Sequence, residues 1–99
     1  MPGAIRQGDM TSGHSPCYKP QRPGSYSGNV FIEGKPAVRN GNFTEGHCCT
    51  CSDGHGCHVG YYMGNSTVYI NGYPAQKIGD STTCGCVAIA GSGTVFIEG

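Results

Sequence analysis

One five-residue phrase is written three times in this chain of 99 residues: Val-Phe-Ile-Glu-Gly at 30–34, Val-Tyr-Ile-Asn-Gly at 68–72 and Val-Phe-Ile-Glu-Gly at 95–99. Each alternates Val and Ile with an aromatic or polar residue and closes on glycine, the period of two that marks a short half-buried strand. A second phrase follows the first two copies. Pro-Ala-Val-Arg-Asn-Gly-Asn at 36–42 matches Pro-Ala-Gln-Lys-Ile-Gly-Asp at 74–80, and the chain opens on the same pattern with Ala-Ile-Arg-Gln-Gly-Asp at 4–9. The unit is strand, Gly turn, Pro-Ala strand, Gly-Asp turn. It occurs in three circularly offset copies, the last strand completing what the first phrase begins. Such units bury their apolar faces on one another, so they fold together or not at all. The expectation is one domain, residues 1–99, all-β, with three-fold internal pseudo-symmetry.

Composition narrows the choice. The chain has 18 Gly and 6 Pro but no Leu and no Trp. A helix bundle is excluded, because helices need long flexible apolar side chains along one stripe. No run of about 18 apolar residues is present to form a membrane-spanning helix. The opening Met-Pro-Gly-Ala-Ile-Arg lacks the layout of a signal peptide, so any export is expected to use another route. Six basic and six acidic residues cancel, which removes the electrostatic case for nucleic acid or an anionic membrane as partner. The insert at 15–28, rich in Pro, Ser, Tyr and Gly, reads as a surface loop.

A core this poor in large apolar groups needs a staple. Seven Cys, an odd number, argue against a fully paired disulfide framework, and with four His they favour a metal. The repeats supply the place. Past its Gly turn each copy runs through Thr to a potential ligand: His14, His47 and Cys84. Equivalent positions of three copies converge on one point. Thiolate and imidazole are zinc ligands, four of them closing a structural tetrahedron. The fourth is expected from the cluster His55-Gly56-Cys57-His58, with His58 preferred because it leads directly into the next strand, and with His55 and Cys57 as rivals. Cys17, Cys48, Cys49, Cys51 and Cys86 are left over. Cys49-x-Cys51 and Cys84-x-Cys86 could hold a second metal or form disulfides, against the plainer reading of free thiols.

The two Pro-Ala phrases, with Arg39, Lys77 and the Gly-Asp turns, resemble the PAAR-repeat proteins, named for a Pro-Ala-Ala-Arg motif. The resemblance spans residues 4–99, and Gly13-His14-Ser15-Pro16-Cys17-Tyr18 with Arg22-Pro23 is similar to members of phage type. Members cap the spike of type VI secretion systems and contractile phage tails. The resemblance implies a pointed cone with one structural Zn2+ near its apex, held by three His and one Cys, here His14, His47, His58 and Cys84. It departs from the motif at Asn42, where Asp is usual, and at Gln76-Lys77, which stand for Ala-Arg. The segment leading to His58 is one residue short of the family spacing.

The resemblance further implies a non-enzymatic tip seated on a homotrimeric β-helical spike, one copy per trimer. It would be assembled in the bacterial cytoplasm, ejected, and brought briefly against a target membrane for piercing, with non-covalent effector cargo as an option. The strands at 30–34, 68–72 and 95–99 are expected to form its base, with Phe31, Tyr69 and Phe96 facing the trimer. The ending at Gly99 is expected to mean a plain tip without an appended toxin domain. Two other classes compete. A zinc hydrolase would use three His and an open fourth position, but Cys84 would close the shell, and Glu45 is the sole acid near the ligands before Asp53. A metal- or redox-sensing module would rest on the surplus thiols.

Overall fold

The computed structural model describes residues 2–13, 18–48 and 57–97. Its elements are six two-residue strands: β1 (Phe31–Ile32), β2 (Lys35–Pro36), β3 (His47–Cys48), β4 (Cys57–His58), β5 (Tyr69–Ile70) and β6 (Tyr73–Pro74). They pair as three antiparallel hairpins, β1-β2, β3-β4 and β5-β6. Isolated bridges connect the rest, and the described residues contain no helix.

The first phrase of each copy makes a shorter ladder than its alternation predicts. Only Phe31–Ile32 and Tyr69–Ile70 are strand, because Glu33-Gly34 and Asn71-Gly72 are taken by the turn. Both residues of each pair have positive φ (54° and 79°, 53° and 87°). That is the mirror-image two-residue turn whose twist matches a hairpin, and a following Gly makes it affordable to the chain. A two-residue strand has one inward position. Ile32, Ile70 and Ile97 take it and are buried, whereas Val68 and Val95 remain exposed at the rim, contrary to the expected shared face.

In the third copy the partner comes from the other end of the chain. Phe96 bridges Gly3, the Ala4 amide donates to the Val95 carbonyl at 3.0 Å, and the Ile97 amide donates to Pro2 at 2.8 Å. Ala37 to Val30 (2.9 Å) and Ala75 to Val68 (2.7 Å) are the same bond in the other copies. The second phrase repeats as closely. Asp9, Asn42 and Asp80 each accept from the amide three residues back, at Arg6 (2.8 Å), Arg39 (2.9 Å) and Lys77 (3.0 Å). Asn42 keeps this backbone bond, which needs only one side-chain oxygen. It does not keep the ion pair that Asp9 makes with Arg6 and Asp80 with Lys77; Arg39 turns instead to the Asn40 carbonyl and the Tyr73 ring.

The copies are joined in a ring. Val38 N–H donates to Ile5 C=O, Gln76 N–H to Val38 C=O, and Ile5 N–H to Gln76 C=O, each at 3.0 Å. Around that ring the interior is layered. Ala4, Ala37 and Ala75 pack with Ile32, Ile70 and Ile97, and beside them Ile5 and Val38 pack with Tyr62 and Ala88. Next come Thr11, Thr44 and Thr82, all buried, whose hydroxyls accept from the amides of Gln21 (3.0 Å), Gly60 (2.9 Å) and Cys86 (3.1 Å). Each copy therefore walks from the Ala/Ile layer through the Ile/Val layer to its Thr. The body is elongated, 40 × 24 × 21 Å. The insert at 15–28 is not wholly a surface loop. Its described part buries Tyr18, Gln21 and Ser27, because Gln21 pairs with Thr11 and Gly24 with Phe43.

Candidate metal centre

Beyond the Thr layer the second copy reaches His47, on β3. Its partner β4 runs antiparallel with His47 opposite His58 and Cys48 opposite Cys57. Opposed residues project to the same face of a ladder, so the register alone brings the two imidazoles together. Their rings meet edge to face at 4.6 Å between centroids, and the two Nε2 atoms are 2.9 Å apart. The third copy delivers Cys84 two residues past Thr82. One ligand atom from each of His47, His58 and Cys84 lies within 4.8 Å of the others.

The donor chemistry fits an ion. The Lys19 carbonyl, 2.7 Å from His47 Nδ1, can only accept, so Nδ1 carries the proton and Nε2 presents a lone pair toward His58. A lone pair aimed at a second imidazole nitrogen requires a proton or a cation between them. A tetrahedron of first-row metal bond lengths has edges of roughly 3.3–3.7 Å, so small side-chain rotations suffice to admit one. Tyr18, 8% exposed, lies against both rings, 4.8 Å from His47 and 4.4 Å from His58, and walls the pair from water.

Cys84 is half-buried and has its own surroundings. Thr82 Oγ1, already accepting from the Cys86 amide, sits 3.3 Å from Cys84 Sγ and has its own hydrogen to give. Cys86 Sγ is 3.8 Å from Cys84 Sγ and donates to Gln21 Oε1 at 3.3 Å. Cys84 and Cys86 are both free thiols. Burial pushes the Cys86 thiol up, with the neighbouring Cys84 adding to the shift and a hydrogen bond with Thr11 opposing it. Gly60 makes room for the Cys84 sulfur: a Cβ there would stand 2.6 Å from Sγ.

Of the four ligands expected from sequence, the structure brings His47, His58 and Cys84 together, while His14 lies outside the described residues. Among the rivals to His58, Cys57 is exposed and disulfide-bonded, and His55 lies outside the described residues. Cys17, Cys49 and Cys51 also lie outside them, as does the side chain of Cys48. Among the described residues no carboxylate joins the group, and Glu45 is turned to Arg22 at 3.3 Å. Tyr18, Gln21, Thr82 and Gly60 were not assigned roles from sequence. Only Thr82 carried a signal, as the Thr that recurs before the ligand in each copy.

No curated protein matches the chain. The sequence model of the PAAR motif family, which is associated with spike tips of contractile injection systems and is structural in character, matches residues 2–90. With the Pro-Ala phrases folded into a common ring and a His/His/Cys group suited to a metal ion, this chain belongs to the PAAR motif family.

Proposed function

We propose that the protein is the non-enzymatic tip of a contractile injection spike, stapled by one Zn2+ held by His14, His47, His58 and Cys84. The observation that carries this reading is the convergence of His47, His58 and Cys84, drawn from two copies of the repeat. Two imidazoles and a thiolate suit zinc, and a fourth protein ligand makes a closed, structural shell. When bound, the ion would crosslink segments distant in sequence, beyond the two apolar clusters of the core. A tip that must enter a membrane needs that stiffness.

Three exposed aromatics support the partner. Phe31, Tyr69 and Phe96 occupy matching positions beside the Ala/Ile layer and are 57%, 63% and 46% exposed. Three aromatic rings at matching places of the three copies, Phe31 and Tyr69 on hairpins and Phe96 on the bridge to Gly3, would form a surface that three identical chains can meet without a symmetry mismatch. On this reading the cone narrows from that base to the metal, and the partner is a homotrimeric β-helical spike, one tip per trimer, loaded in the bacterial cytoplasm and ejected. Native mass spectrometry of the protein with a trimeric spike fragment tests it. One copy and one zinc per trimer are expected, and glutamate at positions 31, 69 and 96 should abolish binding while zinc content is kept. Undiminished binding by that triple variant would overturn the base assignment, and zinc-free protein would overturn the metal.

A further inference from the structure

Cys86 has no part in the metal group, yet it is fully buried against it. A buried thiol of that kind is usually inert, but the sulfur of half-buried Cys84 lies 3.8 Å away. The two are joined by Gly85 at φ 101°, inside a turn closed by the Gly85 amide on the Thr82 carbonyl at 3.1 Å. Residues two apart in such a turn have Cα atoms no more than about 7 Å apart, close to the upper limit a disulfide spans. The sulfurs need only close to about 2.05 Å, and no bulky side chain at position 85 resists the rotation. Gln21 Oε1 and Thr82 Oγ1 hold the two sulfurs side by side from opposite directions.

We propose that Cys84 and Cys86 are a thiol–disulfide modification site, oxidised to an intrachain disulfide by small disulfides or protein thiol oxidants, and that this oxidation expels the metal. The step balances. The Cys84 thiolate attacks one sulfur of a reagent disulfide RS–SR, its bond to the metal breaks, and RS⁻ leaves to take a proton from water. The Cys86 thiol gives its proton to water and attacks the Cys84 sulfur of the mixed disulfide, expelling the second RS⁻. Two protein sulfurs are oxidised, one reagent disulfide is reduced to two thiols, and the metal loses its only thiolate. The less buried sulfur is the point of attack and the buried one resolves the intermediate. The tip would thus hold its ion in a reducing compartment and surrender it in an oxidising one. The metal-release half rests on the proposed ligation by Cys84, whereas the crosslink does not.

The experiment treats the metal-loaded full chain with oxidised glutathione and follows two readouts. Trypsin cleaves after Lys77, and residues 78–99 contain no further Lys or Arg and only these two cysteines. After oxidation that peptide should be lighter by two hydrogen atoms and refractory to alkylation. Metal release, read with a chromogenic chelator, should keep pace. Cys86→Ser keeps Cys84 and a hydrogen-bonding group toward Gln21 but cannot resolve the mixed disulfide. With reduced glutathione present beside the oxidant it is returned to the thiolate, and should release metal at least roughly tenfold more slowly than wild type. Cys86→Ala, which needs no hydrogen-bond partner, should behave alike. Two separately alkylated cysteines in the treated peptide would overturn the crosslink. Release from both variants at the wild-type rate would overturn its link to the metal. A crosslink formed while all the metal is retained would sustain the modification site and refute the ligation by Cys84.

Discussion

Replacing Gln76 by methionine should stabilise the protein. Gln76 belongs to the hydrogen-bonded ring with Ile5 and Val38 and is 0% exposed, but neither its amide nitrogen nor its amide oxygen has a hydrogen-bond partner. Gly64 leaves the space the amide fills, since a Cβ there would lie 3.0 Å from Oε1. The other two copies place an aliphatic side chain at this position. Burying an unsatisfied polar group costs about 1–3 kcal/mol, and methionine reaches the same length without the amide fork, its flexible thioether filling most of the same space. The gain should be about 1–3 kcal/mol. At about 4–8 °C per kcal/mol for a domain of this size, thermal unfolding followed by circular dichroism at fixed metal excess would register it clearly. Gln21→Met is the matched control. That amide is equally buried but donates to the Glu45 carbonyl at 2.6 Å and accepts from Cys86, so the same change should destabilise. A midpoint unchanged or lowered in Gln76→Met would refute the reasoning, because it would mean the amide is satisfied in the folded protein.

Removing the metal with a strong chelator should lower the thermal midpoint sharply, since structural zinc contributes about 10–16 kcal/mol of apparent folding free energy in small domains; calorimetry with and without chelator checks it. Gly60→Ala should weaken metal binding by roughly tenfold or more, because its Cβ would collide with Cys84 Sγ, whereas Gly28→Ala, with open space around it, should not. Competitive chelation compares the two. Tyr62 has its hydroxyl buried and unpaired, and burial, reinforced by Cys86, raises its pKa. The unfolded phenol then ionises first, so this contribution to stability is full below about pH 10 and declines as pH rises above it. Urea unfolding at rising alkaline pH should show Tyr62→Phe declining less steeply than wild type.

The repeat was readable because it is local: a period of two, a Gly after it, and a Gly-Asp turn all act within a few residues. The ligand positions His47 and Cys84 followed, since the same local path places both beyond a Thr. The choice among His55, Cys57 and His58 could not be read, because it depends on which residue stands opposite His47 across β3 and β4. Tyr18 and Gln21 escaped for a related reason. They come from an insert without a counterpart in the other copies, and their burial is decided by pairing with Thr11 and the imidazoles. Strand length was overestimated because alternation continues into residues whose positive φ the sequence does not announce at Glu33 and Asn71.

The bridge between Gly3 and Phe96 has a consequence for biosynthesis. Gly3 emerges from the ribosome with its place in the architecture not yet made, and it must wait for Phe96, 93 residues later, before the clasp can shut. A nascent chain can form its three hairpins but not the necklace until residue 96 has emerged, so closure is a late, all-at-once event.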